Sequence, residues 1–193
     1  MTAVEYPGRY STVAILLHWI TAVLVIGNLV GGLGNDCWFD SPDPATQQAG
    51  ATLVALHKSI GLTILVLTLV RLAWRLTNPP PPLPTHMTRG EVVLARTTHV
   101  AFYLLLLLMP LSGWAMVSTG RHIGPVSWFG LFDVPPLPLP TSLGGLFHES
   151  HETIGLIMML TLVLHVAGAL KHHLFDRDNV LARILPRVRR RAP

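Results

Sequence analysis

The sequence predicts an all-α membrane protein, a four-transmembrane-helix bundle formed by a single domain over residues 1–193. The mean hydropathy is +0.49 and only 12% of the residues are charged, a composition more apolar than that of a typical soluble domain. Four runs reach the length of about 20 residues that a helix needs to cross a hydrocarbon core of roughly 30 Å. They are continuous and lack the alternating pattern of barrel strands, so helices are the spanning structure that they favour. These runs are residues 13–33, 53–72, 92–117 and 151–172.

The first run, residues 13–33, differs from a cleaved secretory signal. Its apolar core is longer than that of a signal peptide, and it contains His18 and Trp19. No clear small-x-small cleavage site precedes the acidic loop that follows it. We therefore expect a retained first span.

The segments between the runs differ in composition. Residues 34–52 form a polar outer loop, and the inner loop carries four consecutive prolines at residues 79–82, which predict a stiff extended spacer. Residues 118–150 contain an aromatic stretch followed by a proline-rich stretch. This segment is predicted to be either a lid lying in the membrane interface or a plain connector. Within the third run, Pro110 predicts a kink.

The distribution of charge predicts the orientation of the bundle. With four spans, all but two of the fourteen lysines and arginines lie on the side that holds both termini. The opposite side holds only Lys58 and Arg121 among basic residues, together with most of the acidic residues. The positive-inside rule therefore predicts cytoplasmic termini. The basic tail, residues 187–191, is predicted to meet anionic lipid headgroups rather than nucleic acid.

Four histidines lie inside the apolar runs, where an imidazole is costly unless it faces a partner. The direction of each span predicts that His57 and His151 lie near the outer face and that His18 and His165 lie near the inner face. At 1.5 Å per residue, His151 and His165 are separated by roughly 21 Å along one helix. This interval is close to four turns, so both rings project from nearly the same face of the fourth span.

Two histidine pairs at two depths match the axial ligands of two haem b groups. Two imidazoles from facing helices leave four equatorial positions for a porphyrin, whereas zinc needs more protein ligands. No Cys-x-x-Cys-His motif is present for covalent attachment, and the only cysteine is Cys37. Small residues that would leave room for a flat macrocycle stand four positions after each proposed ligand. These residues are Ala22, Gly61, Gly155 and Ala169.

Several other side chains are weaker candidates. His99, in the inner part of the third run, could bond a haem propionate or line a quinone pocket, but is expected to reach the membrane interface. His148 stands one turn before His151 and is the main competitor for the outer ligand role. Arg71, at the inner end of the second run, could neutralise a propionate or anchor at the headgroups.

Short motifs over nearly the whole chain resemble the bacterial cytochrome b561 family. The motifs are specific together, although each alone is short. They are Leu17-His18-Trp19, Leu56-His57-Lys58-Ser59-Ile60-Gly61, Val70-Arg71-Leu72-Ala73-Trp74-Arg75, His151-Glu152-Thr153 and Ala169-Leu170-Lys171-His172-His173. The resemblance implies a four-helix bacterial inner-membrane protein that binds two haem b groups through His18, His57, His151 and His165.

The resemblance also implies a function in electron transfer. One type in this family oxidises superoxide at the outer face and passes electrons to ubiquinone. A small-molecule or periplasmic donor is therefore expected outside, and quinone is the expected acceptor. The outer loops are acidic, so Lys58 and Arg121 are the candidates for steering an anionic substrate. The alternatives are a cytochrome b subunit that anchors a dehydrogenase or hydrogenase, and a haem-free bundle whose histidines bond across helices.

Overall fold

Four long helices form the body of the chain. The computed structural model describes residues 8–33, 41–120 and 123–186. Within these residues the helices are α1 (Thr12–Gly32), α2 (Pro44–Thr77), α3 (Arg89–Thr119) and α4 (Gly144–Lys171). Each is part of a helical stretch long and apolar enough to cross a membrane. The predicted fold class, a four-transmembrane-helix bundle, is confirmed.

Polar caps explain where three of the helices begin. The Ser11 hydroxyl accepts a hydrogen bond from the Ala14 amide, and the Asp43 carboxylate accepts from the first amides of α2. Thr88 and Glu91 form a reciprocal capping box at the start of α3. Helix α2 is therefore longer than the predicted span at residues 53–72, because helical hydrogen bonding continues into polar sequence that hydropathy does not register.

The helices pack in chain order around a small apolar core. Extensive contacts join α1 to α2, α2 to α3 and α3 to α4. Large aliphatic side chains cover the outward helix faces, and Val23 and Val30 are each 67% exposed. Such a surface is suited to lipid rather than water. The buried core cluster consists of Val25, Ile64, Leu105, Leu106 and Met158.

Helix α3 continues through Pro110, where the sequence predicted a kink. The helix is continuous from Arg89 to Thr119, so the proline does not interrupt it. Proline removes only one backbone donor, and a membrane helix tolerates that loss when neighbouring groups compensate.

A β-hairpin in the long outer segment was not predicted from the sequence. Strand β1 (Val126–Trp128) pairs antiparallel with β2 (Phe132–Val134). The turn uses Phe129 at φ 50° and Gly130 at φ 74°, both in the left-handed region. The hairpin rests on α2, where the Phe129 amide donates to Ser59 Oγ at 3.1 Å and Trp128 Nε1 donates to Thr63 Oγ1 at 3.1 Å. It therefore lies beside the turn of α2 that carries His57.

The chain after α4 folds back beneath the inner ends of the helices. It contains a π-helical turn, His172–Asp176, and a short 3-10 turn, Leu181–Arg183. Trp19 Nε1 on α1 donates to the Ile184 carbonyl at 2.8 Å, and an Arg183 guanidinium N–H donates to the Pro82 carbonyl at 2.7 Å. These bonds fasten the segment to α1 and to the proline spacer.

Candidate functional site

An outer pair of histidines joins α2 to α4. The ring centroids of His57 and His151 are 6.1 Å apart, and the ring planes cross at 85°. Both residues are half-buried. The structure thus brings together the two residues that the sequence paired on the outer side.

The hydrogen bond of His57 defines which ring nitrogen is free. His57 Nδ1 lies 3.1 Å from the Asn28 backbone carbonyl, which can only accept, so Nδ1 carries the proton and donates. A neutral ring then presents Nε2 with an unshared electron pair, the form that binds a metal. A Cβ added at Gly32 would lie 3.1 Å from His57 Cε1. Gly32 therefore lets the ring approach α1.

His151 has an equivalent arrangement built from side chains of α3. Its Nδ1 lies 3.1 Å from Ser112 Oγ, and Ser112 Oγ donates to the Met109 carbonyl at 2.9 Å. A Cβ at Gly113 would stand only 2.9 Å from His151 Cε1, too close for any other residue without movement. None of these α3 residues was identified from the sequence as part of the outer site, because the contact is tertiary and carries no motif.

The inner group contains three histidines. His18 on α1 and His165 on α4 have ring centroids 6.3 Å apart, with the planes crossing at 61°. The ring of His99 on α3 lies 5.9 Å from that of His165, and the Phe102 ring lies 5.1 Å from it. The expectation that His99 reaches the membrane interface is therefore wrong. His99 lies on the same face of α3 as Phe102, and this face points into the bundle, where the His99 ring lies next to the inner pair.

Two arginines border the inner group. Arg71 Nη2 lies 3.2 Å from His18 Nδ1, and since a guanidinium only donates, that nitrogen accepts. Arg71 and Arg75 also stand over the Tyr103 ring, at 5.7 Å and 5.5 Å from its centroid. A ring that binds a metal through Nε2 keeps its proton on Nδ1. Arg71 must therefore turn away from His18 before that ring can bind in this way.

The donor set of each pair fits a haem. An imidazole–metal bond is about 2 Å and the nitrogen lies roughly 1 Å from the ring centroid, so two axial rings on one metal have centroids roughly 6 Å apart. Both pairs have this separation, at 6.1 Å and 6.3 Å. Across the described residues, a group of three side chains close enough to share an ion occurs only at His172, Asp176 and Asp178. Neither pair thus offers the protein ligands that zinc requires.

Two of the four small residues expected to make room for a macrocycle, Gly61 and Gly155, face other side chains in this structure. A Cβ at Gly155 would meet the methyl end of Met109 at 3.2 Å, and one at Gly61 would lie 3.8 Å from the Asn28 amide. Methionine is unbranched and flexible, so its end is able to move when a larger group enters.

His148 is directed away from the outer pair. Its Nε2 lies 3.3 Å from the Glu152 carboxylate, and both side chains are more than half exposed, at 62% and 68%. His148 was expected to compete with His151 for the outer site, but in this structure it contacts Glu152 at the exposed surface of α4 instead, although a residue one turn earlier lies on nearly the same helix face.

A separate polar cluster lies at the inner face. The Asp178 carboxylate accepts from His86 Nε2 at 3.0 Å and from His172 Nδ1 at 2.8 Å. Its other oxygen accepts from the Val180 amide. Burial alone would raise the pKa of Asp178, but these hydrogen bonds outweigh it and the pKa is lowered. The cluster connects the proline-rich loop to the segment after α4.

The two candidate steering charges are Lys58 and Arg121. Lys58 is half-buried on α2, directly after His57. Arg121 lies outside the described residues.

The chain is similar to several known proteins over nearly its whole length. A sequence profile for the family described as "Prokaryotic cytochrome b561" matches residues 9–187. "Cytochrome b561 homolog 2" of Escherichia coli is 33% identical, covering 96% of this chain and 95% of the relative. "Cytochrome b562" of Cereibacter sphaeroides is 30% identical over 94% and 97% of the two chains. "Probable superoxide oxidase CybB" of Yersinia pestis is 28% identical over 94% and 98%.

Proposed function

The chain belongs to the prokaryotic cytochrome b561 family of membrane electron-transfer proteins, whose cofactor is haem b, and from that premise we propose that it carries electrons across the membrane through two haem b groups. The outer haem is held by His57 and His151, and the inner haem by His18 and His165. The observation that supports two sites is the repeated ring separation of 6.1 Å and 6.3 Å. The ring of His99 lies 5.9 Å from that of His165, so the family motif Leu17-His18-Trp19, rather than distance, favours His18 as the second inner ligand. Helix α4 supplies one ligand to each pair.

The protein's own groups prepare the outer pair for this role. Donation from His57 Nδ1 to the Asn28 carbonyl, and from His151 Nδ1 to Ser112, leaves both Nε2 atoms free to bind. Haem b supplies one-electron redox chemistry when bound. With two imidazoles bound to each iron, no position would remain open, and the substrates would exchange electrons without binding to the metal.

The electron donor that we propose is superoxide at the outer face, and the acceptor is ubiquinone. Two superoxide anions lose one electron each and become two molecules of oxygen. One ubiquinone gains the two electrons and two protons and becomes ubiquinol. The relative described as a "Probable superoxide oxidase" supports this donor. Lys58 and Arg121 are the candidate charges that attract the anion, and the quinone tail belongs in lipid.

We also propose a location and an orientation for the protein. The chain forms a single domain in the bacterial inner membrane, with both termini in the cytoplasm. The asymmetric distribution of arginines and lysines supports this orientation.

The first experiment is a reduced-minus-oxidised spectrum of the purified protein with haem measured per chain. We expect two haem b groups per chain, released by acid-acetone because no covalent attachment motif exists. A count near one, or haem that stays attached, contradicts the two-pair assignment. A colourless protein supports a haem-free bundle instead.

The second experiment tests the substrates. Superoxide, generated enzymatically, is supplied to the haem-loaded protein with a soluble ubiquinone, and ubiquinol formation is followed with and without superoxide dismutase. We expect formation that the dismutase abolishes. If no superoxide-driven reduction occurs and a dehydrogenase or hydrogenase co-purifies, the chain is an anchor subunit rather than an oxidase.

A further inference from the structure

Ser112 occupies a defined position between α3 and the outer histidine pair. Ser112 is only 8% exposed. Its hydroxyl oxygen lies 2.9 Å from the Met109 carbonyl oxygen and 3.1 Å from His151 Nδ1. A hydroxyl has a single proton, and a backbone carbonyl can only accept. The proton of Ser112 therefore goes to Met109, and the oxygen of Ser112 accepts from His151.

This chain of bonds selects one tautomer of His151. The ring must carry its proton on Nδ1 to donate to Ser112, and Nε2 is left free. His57 receives the same selection from the Asn28 backbone carbonyl, which no side-chain substitution removes. The hydrogen bond of Ser112 to His151, in contrast, can be removed by a point substitution that leaves both ligands in place.

We propose that Ser112 is a positioning residue that fixes the orientation and tautomer of His151 and thereby lowers the reduction potential of the outer haem. The inference rests on the proposed function, since it requires that His151 is an axial ligand. A hydrogen bond at Nδ1 raises the basicity of the ligating nitrogen, and a more basic ligand stabilises the oxidised iron.

A simpler role for Ser112 would be a bond to its own helix alone. Serine and threonine in membrane helices often donate to a carbonyl one turn back, and Thr119 on α3 does so with the Ala115 carbonyl at 2.8 Å. Ser112 differs from Thr119 because its oxygen also reaches a histidine. Thr119 therefore provides a control for removal of a buried, back-bonded hydroxyl from the same helix.

The test uses the isosteric pair Ser112→Thr and Ser112→Val, which differ in the hydroxyl. Each purified variant, with both haems bound, is titrated by spectroelectrochemistry beside the wild type and Thr119→Val. We expect Ser112→Val to raise the reduction equilibrium constant of the outer haem threefold to tenfold, where tenfold is about 59 mV for one electron. Ser112→Thr and Thr119→Val should remain near the wild type, and the inner haem should not shift.

Equal potentials in Ser112→Val and Ser112→Thr overturn the inference, as does an equal shift of both haems. These outcomes leave the proposed function standing if His151→Ala still removes the outer haem. If His151→Ala retains that haem, the ligand assignment itself fails.

A second measurement is made on the wild type and does not depend on the Ser112 variants folding. Nitrogen NMR of ¹⁵N-histidine-labelled wild type without haem, with the His151 signal assigned by its loss in His151→Gln, reports the tautomer. We expect the proton on Nδ1. A proton on Nε2 overturns the inference.

Discussion

The paired histidines differ in the hydrogen bonds that their Nδ1 atoms form. His57 and His151 donate to oxygen acceptors, whereas His18 accepts from the Arg71 guanidinium. The outer pair is therefore already in the tautomer that a metal needs, and the inner pair requires a movement of Arg71 first. Both pairs have nearly the same ring separation, so this difference between the outer and inner pairs arises from the hydrogen-bond partners of individual histidines.

Substitution of a ligand should remove one haem and leave the other. We expect His57→Ala and His151→Ala to lose the same outer haem, and His18→Ala and His165→Ala to lose the inner haem. No ligand at one level can replace one at the other, roughly 21 Å away by helix rise. Haem content and the number of redox transitions provide the measurement.

His148→Ala is the matched control for His151→Ala, since His148 contacts Glu152 at the surface. It should retain both haems. Loss of the same haem from His57→Ala and His165→Ala would show that the pairing is wrong.

Lys58 and Arg121 should affect the rate of reaction with superoxide. Changing Lys58 and Arg121 to glutamine should lower the second-order rate with superoxide by about tenfold or less, because steering charges raise the encounter rate of an anion. The rate should also depend less on ionic strength, while the haem spectra stay unchanged. Stopped-flow kinetics at several salt concentrations provide the measurement. Quinone reduction by a neutral artificial donor should be unaffected, and an equal loss with that donor would contradict steering.

A buried serine provides one of the two side-chain contacts that hold the hairpin on α2, beside the bond from Trp128 to Thr63. Ser59 is 2% exposed and its oxygen accepts from the Phe129 amide at 3.1 Å. Its single proton lies within reach of two carbonyls, that of Ala55 on α2 at 3.0 Å and that of Ser127 in the hairpin at 3.1 Å. Ser59→Ala leaves the Phe129 amide without this partner, at a cost of about 1–3 kcal/mol. We expect faster amide hydrogen exchange over residues 126–134, measured by mass spectrometry.

Thr161→Val is the control for Ser59→Ala, because the Thr161 hydroxyl donates only within its own helix, to the Ile157 carbonyl. It should leave exchange in the hairpin unchanged. Unchanged exchange in Ser59→Ala would mean that Trp128 and the turn hold the hairpin without the serine.

The inner-face cluster should respond to acid. Because the pKa of Asp178 is lowered in the folded protein, its contribution to stability is present above the ordinary carboxyl pKa and is lost as the pH falls through the lowered value. We expect proteolysis after residue 176 to become faster on acidification below the ordinary carboxyl pKa, using a protease active in acid. Asp178→Asn should be cut quickly already at neutral pH. If this variant and the wild type have the same pH profile, the cluster does not hold the segment.

The elements were predictable to different degrees. The four helices follow from apolar runs, since lipid allows few other structures. The hairpin strands are three residues each and include Ser127 and Asp133, so their sequence has no pattern distinct from a loop. Its position depends on the tertiary bonds to Ser59 and Thr63.

The site was predictable at the level of the four paired histidines but not of their supports. Span direction and helix rise are enough to bring His57 to His151 and His18 to His165. Ser112, Gly113 and Gly32 act through contacts between helices, and a sequence pattern does not specify which face of α3 meets α4. The same reason explains why His99 was expected at the interface.

At the scale of the whole molecule, the single cysteine tests the orientation. The charge asymmetry predicts that Cys37 lies outside, so a membrane-impermeant maleimide should label it in intact spheroplasts. Cys37→Ser combined with Thr85→Cys moves the thiol to the predicted inner loop. This variant should be labelled only after lysis, and the reverse result would invert the bundle.

Helix α4 also limits how the length of the chain can change. An insertion of one residue between His151 and His165 would turn one ring about 100° away from the other around the helix axis. An insertion of seven residues would nearly restore the angle but lengthen the interval by about 10 Å. Insertions in the connecting loops have no such effect. Deletions and insertions among homologous chains are therefore expected outside this interval, which is fixed by geometry.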